Sequence, residues 1–332
     1  MKKKITPLLL SAAVVLSALC GLSSADTNLE VYKEPAAGTE LQVFDAESRD
    51  NQIAKSYYPY ALTSYLAHKH KLTTGKDNHA NPAVEERLAL HGYRNITATE
   101  LPPSWRVKNK GGVYEAKNGT HRIYDKNGTN LYGRVFINDD SNKIIIAFAG
   151  TEFNPQKYGW RIASTLSTSF MAAFASIFAN GKDIAMMTKA VKVTKDIANQ
   201  FPGYQVELSG SSLGGAIAQF VSLETGYSAR VFNSLALNNT ILEHFKLWHP
   251  DHNPETLISH VYLAGELLND SYDLTSYLVQ GKMPVKGYKL DVPSEVSAQI
   301  DGYLTGWSRH WAGSVLKVME YHLDPVKQLP KL

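Results

Sequence analysis

Residues 204–220 read YQVELSGSSLGGAIAQF. The first six alternate apolar and polar, as a strand does, and the run from Leu213 onward has the composition of a helix. Between them, Gly210, Ser211, Ser212, Leu213 and Gly214 fit the pattern Gly-x-Ser-x-Gly with Ser212 at the centre. A serine at a strand-to-helix switch is forced into a tight, strained turn. Side chains two residues before and after it would collide there. The turn lifts the hydroxyl above the sheet edge. It also aims the N–H of Leu213 and the helix N-terminus at negative charge developing on a substrate oxygen. The pentapeptide alone is common by chance. Its position after a strand and before a helix makes Ser212 the expected nucleophile, and Ser211 is out of register for that role.

Outward from this stretch the pattern alternates. Residues 143–149 (KIIIAFA) are almost all apolar, which suits a central strand buried on both faces. An amphipathic helix is expected over 184–200, strands over 204–209, 229–236 and 257–264, a helix over 213–225 and a last helix over 309–322. Such alternation predicts a mostly parallel α/β sheet with helices on both faces. Asn118-Gly119 and Asn127-Gly128 sit between β-forming runs and predict hairpins, hence antiparallel strands at one edge. Residues 26–50 read as a polar lead-in, and helical spacing begins after Pro59. No linker divides the chain. Residues 26–332 are expected to form a single α/β domain, with 26–110 as an N-terminal extension.

The chain has 332 residues, 44% hydrophobic and 20% charged, as in soluble globular proteins. Lys2, Lys3 and Lys4 precede the apolar run 8–19, and Ser23-Ser24-Ala25 offers small residues for cleavage, so residues 1–25 read as a secretory signal peptide. That segment holds three lysines and no acid, and so accounts for the whole formal charge of +3. No basic surface remains to argue for nucleic acid as a partner. The single cysteine, Cys20, lies within the signal. Export to a periplasm or the medium is expected, with a lipid anchor on Cys20 as the alternative. A mature chain without cysteine has no disulfide and no thiol chemistry.

The segment Gly210–Ala216 resembles the Gly-His-Ser-Leu-Gly-Gly-Ala elbow of the class 3 (fungal-type) lipases, members of the α/β-hydrolase superfamily. Residues 145–151 (IIAFAGT) are similar to that family's strand ending in Phe-Arg-Gly-Thr. Ser211 stands where the family keeps a histidine and Ala149 where it keeps an arginine. The resemblance covers roughly residues 130–325. It implies a serine carboxylic-ester hydrolase, with the N–H groups of Thr151 and Leu213 as the oxyanion hole and no metal or cofactor.

A serine nucleophile needs a base, and the base an orienting acid, in the chain order Ser, acid, His. Six histidines follow Ser212: His244, His249, His252, His260, His310 and His322. The resemblance places the base at His310, where a loop enters the last helix. It places the acid after the strand 257–264, at Glu266, where the family often shows Gly-Asp. Asp270 is the rival four residues on, and Asp291 and Asp301 are further candidates. His249 and His252 in WHPDHNP read as loop histidines, since no second cluster supports a metal.

Residues 162–181 carry no charge, and Phe170, Phe174 and Phe178 share one helical face. A buried helix is one reading, and a transmembrane helix, disfavoured by the frequent Ser and Thr, is another. The third is an apolar lid, formed by Phe170, Met171, Phe174 and Phe178, that meets a lipid interface. The class 3 lipases place their lid at the corresponding point. The expected substrate is a lipid ester, triacylglycerol or phospholipid, met in transient contact with a membrane or lipid surface. An inactive hydrolase-fold binding protein and a serine hydrolase of amides or peptides remain as alternatives.

Overall fold

The computed structural model describes residues 48–68, 70–71, 77–78, 82–102, 114–117, 120–124, 129, 131–150, 182–271, 281–301 and 305–324. The predicted signal peptide and the apolar run 162–181 lie outside that set.

Nine strands form the main sheet: β1 (Arg94–Asn95), β2 (Tyr114–Lys117), β3 (Thr120–Tyr124), β4 (Tyr132–Asn138), β5 (Lys143–Phe148), β6 (Gln205–Ser211), β7 (Ser228–Phe232), β8 (Ile258–Leu263) and β9 (Tyr288–Leu290). Their order is β9-β8-β7-β6-β5-β4-β3-β2, and β1 shares the outer edge of β4 with β3. The five strands from β5 to β9 run parallel. The strands beyond β5 are antiparallel. In β2 and β3, Lys117 faces Thr120.

The helices of six or more residues are, among the described residues, α1 (Arg49–Ala67), α2 (Pro82–Leu90), α3 (Lys182–Gln200), α4 (Leu213–Thr225), α5 (Asn239–Trp248), α6 (Ser294–Ile300), α7 (Thr305–His310) and α8 (Ala312–Leu323). Alternate strand residues point to opposite faces, and the helices divide accordingly. Ile144, Ile146 and Phe148 of β5, with Leu208 and Val231, join the core formed with α3 and α4. Ile145 and Ala147, with Phe232, Val261 and Leu263, join the core formed with α1 and α8. Parallel strands covered on both faces, with crossover helices between them, make this an α/β-hydrolase-type sheet. No helix among the described residues is long and apolar enough to cross a membrane.

Helix α1 runs straight through Pro59, where the sequence reading began it. The Ser48 hydroxyl accepts the Asn51 N–H at 3.2 Å and starts the helix about three turns earlier. An interior proline costs about 3 kcal/mol. Tyr58, Leu62, Tyr65 and Leu66 are all buried, and each buried side chain of this size returns about 1.5–3 kcal/mol. The helix also has polar ties to β6: the Tyr60 hydroxyl donates to Glu207 at 2.6 Å, and the Ser209 hydroxyl donates to the Tyr60 carbonyl at 2.8 Å.

Other boundaries differ from the sequence reading. The strand expected over 229–236 stops at Phe232, because Asn233 turns left-handed (φ 41°). The single helix expected over 309–322 is two, α7 and α8, parted by extended backbone at Trp311 (φ −69°, ψ 144°). Strand β9 and helices α5 and α6 lie in stretches where the sequence predicts no regular element.

Candidate active site

Strand β6 ends at Ser211 and α4 begins at Leu213, so Ser212 is the whole of the turn between them. Its backbone lies at φ 55°, ψ −126°, which costs a non-glycine residue about 1–3 kcal/mol. Backbone hydrogen bonds hold it there. The Ser212 N–H donates to Phe232, and its carbonyl accepts from Gly215, Ala216 and Leu235. Two close approaches explain the glycines. A β-carbon at Gly210 would lie 2.3 Å from the Gly214 carbonyl oxygen, and one at Gly214 would lie 2.1 Å from that of Phe148. Leu213 is buried as the first residue of α4, where N–H groups have no intrahelical acceptor.

His310, the last residue of α7, reaches this turn. Its Nε2 lies 2.9 Å from Ser212 Oγ, and its Nδ1 lies 2.5 Å from Glu266 Oε1. A carboxylate only accepts, so the proton sits on Nδ1 and Nε2 faces the hydroxyl as an acceptor. Glu266 is fully buried just past the end of β8. The N–H groups of Leu268 and Asn269 and the Asn269 side-chain amide also donate to it, at 2.9–3.0 Å. Burial pushes its pKa up, but the facing His310 and these donors outweigh that and hold it below the ordinary glutamate value. The group is therefore an ionised carboxylate in a dry setting.

The rival acids do other things. Asp270 accepts the Gly265 N–H at 2.6 Å and pairs with Lys289 at 3.6 Å, which shapes the loop around Glu266. Asp301 pairs with Arg309, whose guanidinium holds its carboxyl below the usual range. Asp291 donates its N–H to Asp50, and its carbonyl accepts from His322. The histidines sort in the same way. His249 and His252 stack with ring centroids 5.1 Å apart, and His249 faces Glu224 at 3.2 Å. Among the described residues no three His, Cys, Asp or Glu side chains gather as a metal site. Thr151, Phe170, Met171, Phe174 and Phe178 lie outside the described residues.

Two supports were missed in the sequence. The Asn233 side-chain amide donates to the carbonyls of Arg309 (2.9 Å) and His310 (3.2 Å), while its oxygen accepts the Leu263 N–H (3.1 Å). It ties the end of β8 to the residue carrying the imidazole. Arg309 adds a second tie, donating to the Ala264 carbonyl at 2.7 Å while it holds Asp301. An asparagine three residues before Ala236 and an arginine before a histidine carry no motif, so only the folded contacts reveal them.

Beneath the elbow lies His260, buried on β8, whose Nε2 accepts the Ser234 N–H at 3.3 Å. Burial pushes its pKa down to about 4, against a smaller upward pull from Glu266. Between about pH 6.5 and that value the unfolded chain binds a proton that the folded chain refuses. Stability is complete above the unfolded pKa and falls as pH drops through this window, by about 3 kcal/mol in all. Urea unfolding at pH 7 and at pH 4.5 measures the loss, and His260→Gln is expected to flatten the slope. An equal slope in the variant would assign the effect elsewhere.

None of the curated proteins matches the chain in sequence. Solved structures similar to it include the Lip2 lipase of Yarrowia lipolytica, at 13% identity and TM-score 0.44, over 77% of this chain and 82% of that one. A mono- and diacylglycerol lipase of Aspergillus oryzae follows, at 14% identity and TM-score 0.38, over 74% and 81%. Lipase II of Rhizopus niveus aligns at 12% identity and TM-score 0.37, over 65% and 73%. Residues 84–285, more than half of the chain and including both Ser212 and Glu266, match the phospholipase-like family model, described as a Tle-like phospholipase domain. The chain thus belongs to the phospholipase-like family and is a carboxylic-ester hydrolase of lipids.

Proposed function

We propose that the protein hydrolyses acyl esters of phospholipids through a Ser212–His310–Glu266 triad and an acyl-enzyme. The observation that carries the reading is the hydrogen-bonded line from Ser212 Oγ through the His310 ring to Glu266. In the first step His310 Nε2 takes the Ser212 proton as Oγ attacks the ester carbonyl. Glu266 keeps the ring in the tautomer that can accept and stabilises the imidazolium that forms. The Leu213 N–H, with the donor that the resemblance assigns to Thr151, binds the oxyanion. The tetrahedral intermediate collapses, and the imidazolium protonates the departing alcohol. Water, deprotonated by His310, then releases the fatty acid and restores Ser212.

The family match favours phospholipid over neutral glyceride. Such a substrate is presented in a bilayer or micelle, so the proposal includes transient contact with a lipid surface. The aligned bonds favour catalysis over the reading as a binding protein. A panel of phosphatidylcholine mixed micelles, tributyrin, p-nitrophenyl butyrate and the matching p-nitroanilide tests the reading. Fatty acid released from phosphatidylcholine by wild type and not by His310→Ala is the expected result. Release from tributyrin alone would remove the phospholipid, and cleavage of the anilide alone would remove the ester.

A further inference from the structure

His68 lies just beyond α1, in the part of the chain to which no motif assigned a role. Its Nδ1 is 2.8 Å from the Ser64 carbonyl oxygen, which can only accept. The ring proton therefore sits on Nδ1, and the Nε2 lone pair turns toward the elbow. Two donors meet it there: the Gly150 N–H at 3.1 Å and the Ser211 hydroxyl at 3.3 Å. The ladder between β5 and β6 ends at Phe148 opposite Gly210, and the Ala149 N–H goes to Tyr132. Gly150 is past the sheet, and the acceptor of its N–H is a side chain from a segment 82 residues earlier.

The Gly150 peptide is also wedged in place. A β-carbon there would lie 2.8 Å from the Ser211 carbonyl oxygen, 2.9 Å from His68 Nε2 and 3.1 Å from Ser212 Cβ. The imidazole and the nucleophile's own side chain thus both lie close against the Gly150 α-carbon. Ser211 occupies the sequence position where the class 3 lipases keep a histidine, and here its hydroxyl meets the His68 imidazole. We propose that His68 is a positioning residue: it fixes the Gly150 peptide against Ser212, and so holds the nucleophile's turn in place. The inference rests on the proposed triad chemistry. Because Gly150 gives its N–H to His68, that N–H does not itself bind the oxyanion.

The test uses the full chain with p-nitrophenyl butyrate and a butyl trifluoromethyl ketone, which forms a tetrahedral oxyanion on a serine. Ser212→Ala serves as control. His68→Phe keeps the ring volume and loses the acceptor. It is expected to lower kcat about tenfold to a hundredfold with KM within about twofold, and to raise the ketone Ki in proportion to the loss in kcat/KM. His68→Gln, whose side-chain oxygen can reach Gly150, is expected to recover kcat to within about threefold of wild type. Should His68→Phe not yield folded protein, His68→Asn, too short to reach Gly150, takes its place with the same expectation. A kcat within twofold of wild type in the Phe or Asn variant would overturn the proposal. So would a loss confined to KM, an unchanged ketone Ki, or no recovery with Gln. A wild type whose turnover does not depend on Ser212 would overturn the triad as well, which separates the two failures.

Discussion

Ser212→Ala is expected to lower ester turnover by about 10⁴- to 10⁶-fold, the loss seen when the nucleophile is taken from a working triad. Ser211→Ala is expected to cost no more than about fivefold, the worth of one ordinary hydrogen bond of about 1 kcal/mol. The two serines are neighbours in sequence and opposites in setting. Ser212 sits at φ 55° with Oγ 2.9 Å from His310. Ser211 is 1% exposed, at the last position of β6, and its hydroxyl meets His68. Alanine at 212 keeps the backbone bonds to Phe232 and Leu235, so the variant should unfold at close to the wild-type temperature. The checks are kcat on a soluble short-chain ester and labelling by a fluorophosphonate. Label that persists in Ser212→Ala would move the nucleophile elsewhere.

Glu266→Gln is expected to cost about 10⁴-fold in kcat, and Asp270→Asn less than about tenfold. The reason is the donor count. Glu266 has one oxygen shared by His310 and the Leu268 N–H, and another shared by two donors of Asn269. An amide in that place turns at least one N–H toward a donor. If it faces His310, it stabilises the wrong tautomer and leaves Nε2 protonated against the serine. Asp270 has no bond to the ring. Its replacement weakens the Gly265 contact and the pairing with Lys289, which shifts the loop without altering the tautomer. Measured kcat values in the opposite order would return the acid to Asp270.

The elbow was legible because its constraints are local. Gly210 and Gly214 are two residues from Ser212, and the collisions they avoid are with backbone within the same turn and the adjoining strand. The proposed acid was legible only as a choice among Glu266, Asp270, Asp291 and Asp301, and only the fold shows that Glu266 is the one that meets His310. Less could be read where partners are distant. Asn233 acts on Arg309 and His310, 76 and 77 residues on, and His68 acts on Ser211 across 143 residues. The break at Trp311 left no mark, because KVMEYHL and GWSRH both suit a helix and only tertiary packing separates them. The three-residue β9 is too short for its alternation to be read at all.

The pairing of α1 with α8 has a consequence for the order of events in synthesis. The Tyr58 hydroxyl of α1 donates to Glu320 at 2.7 Å, and the Asn51 amide donates to the His322 carbonyl at 2.6 Å, across 262 and 271 residues. Both helices cover one face of the same sheet, and His310 lies just ahead of the second. Contacts of such long range close late. A chain emerging from the ribosome displays Ser212 well before His310 and its last covering helix. Under the proposed triad, hydrolytic power would arrive as the final act of folding.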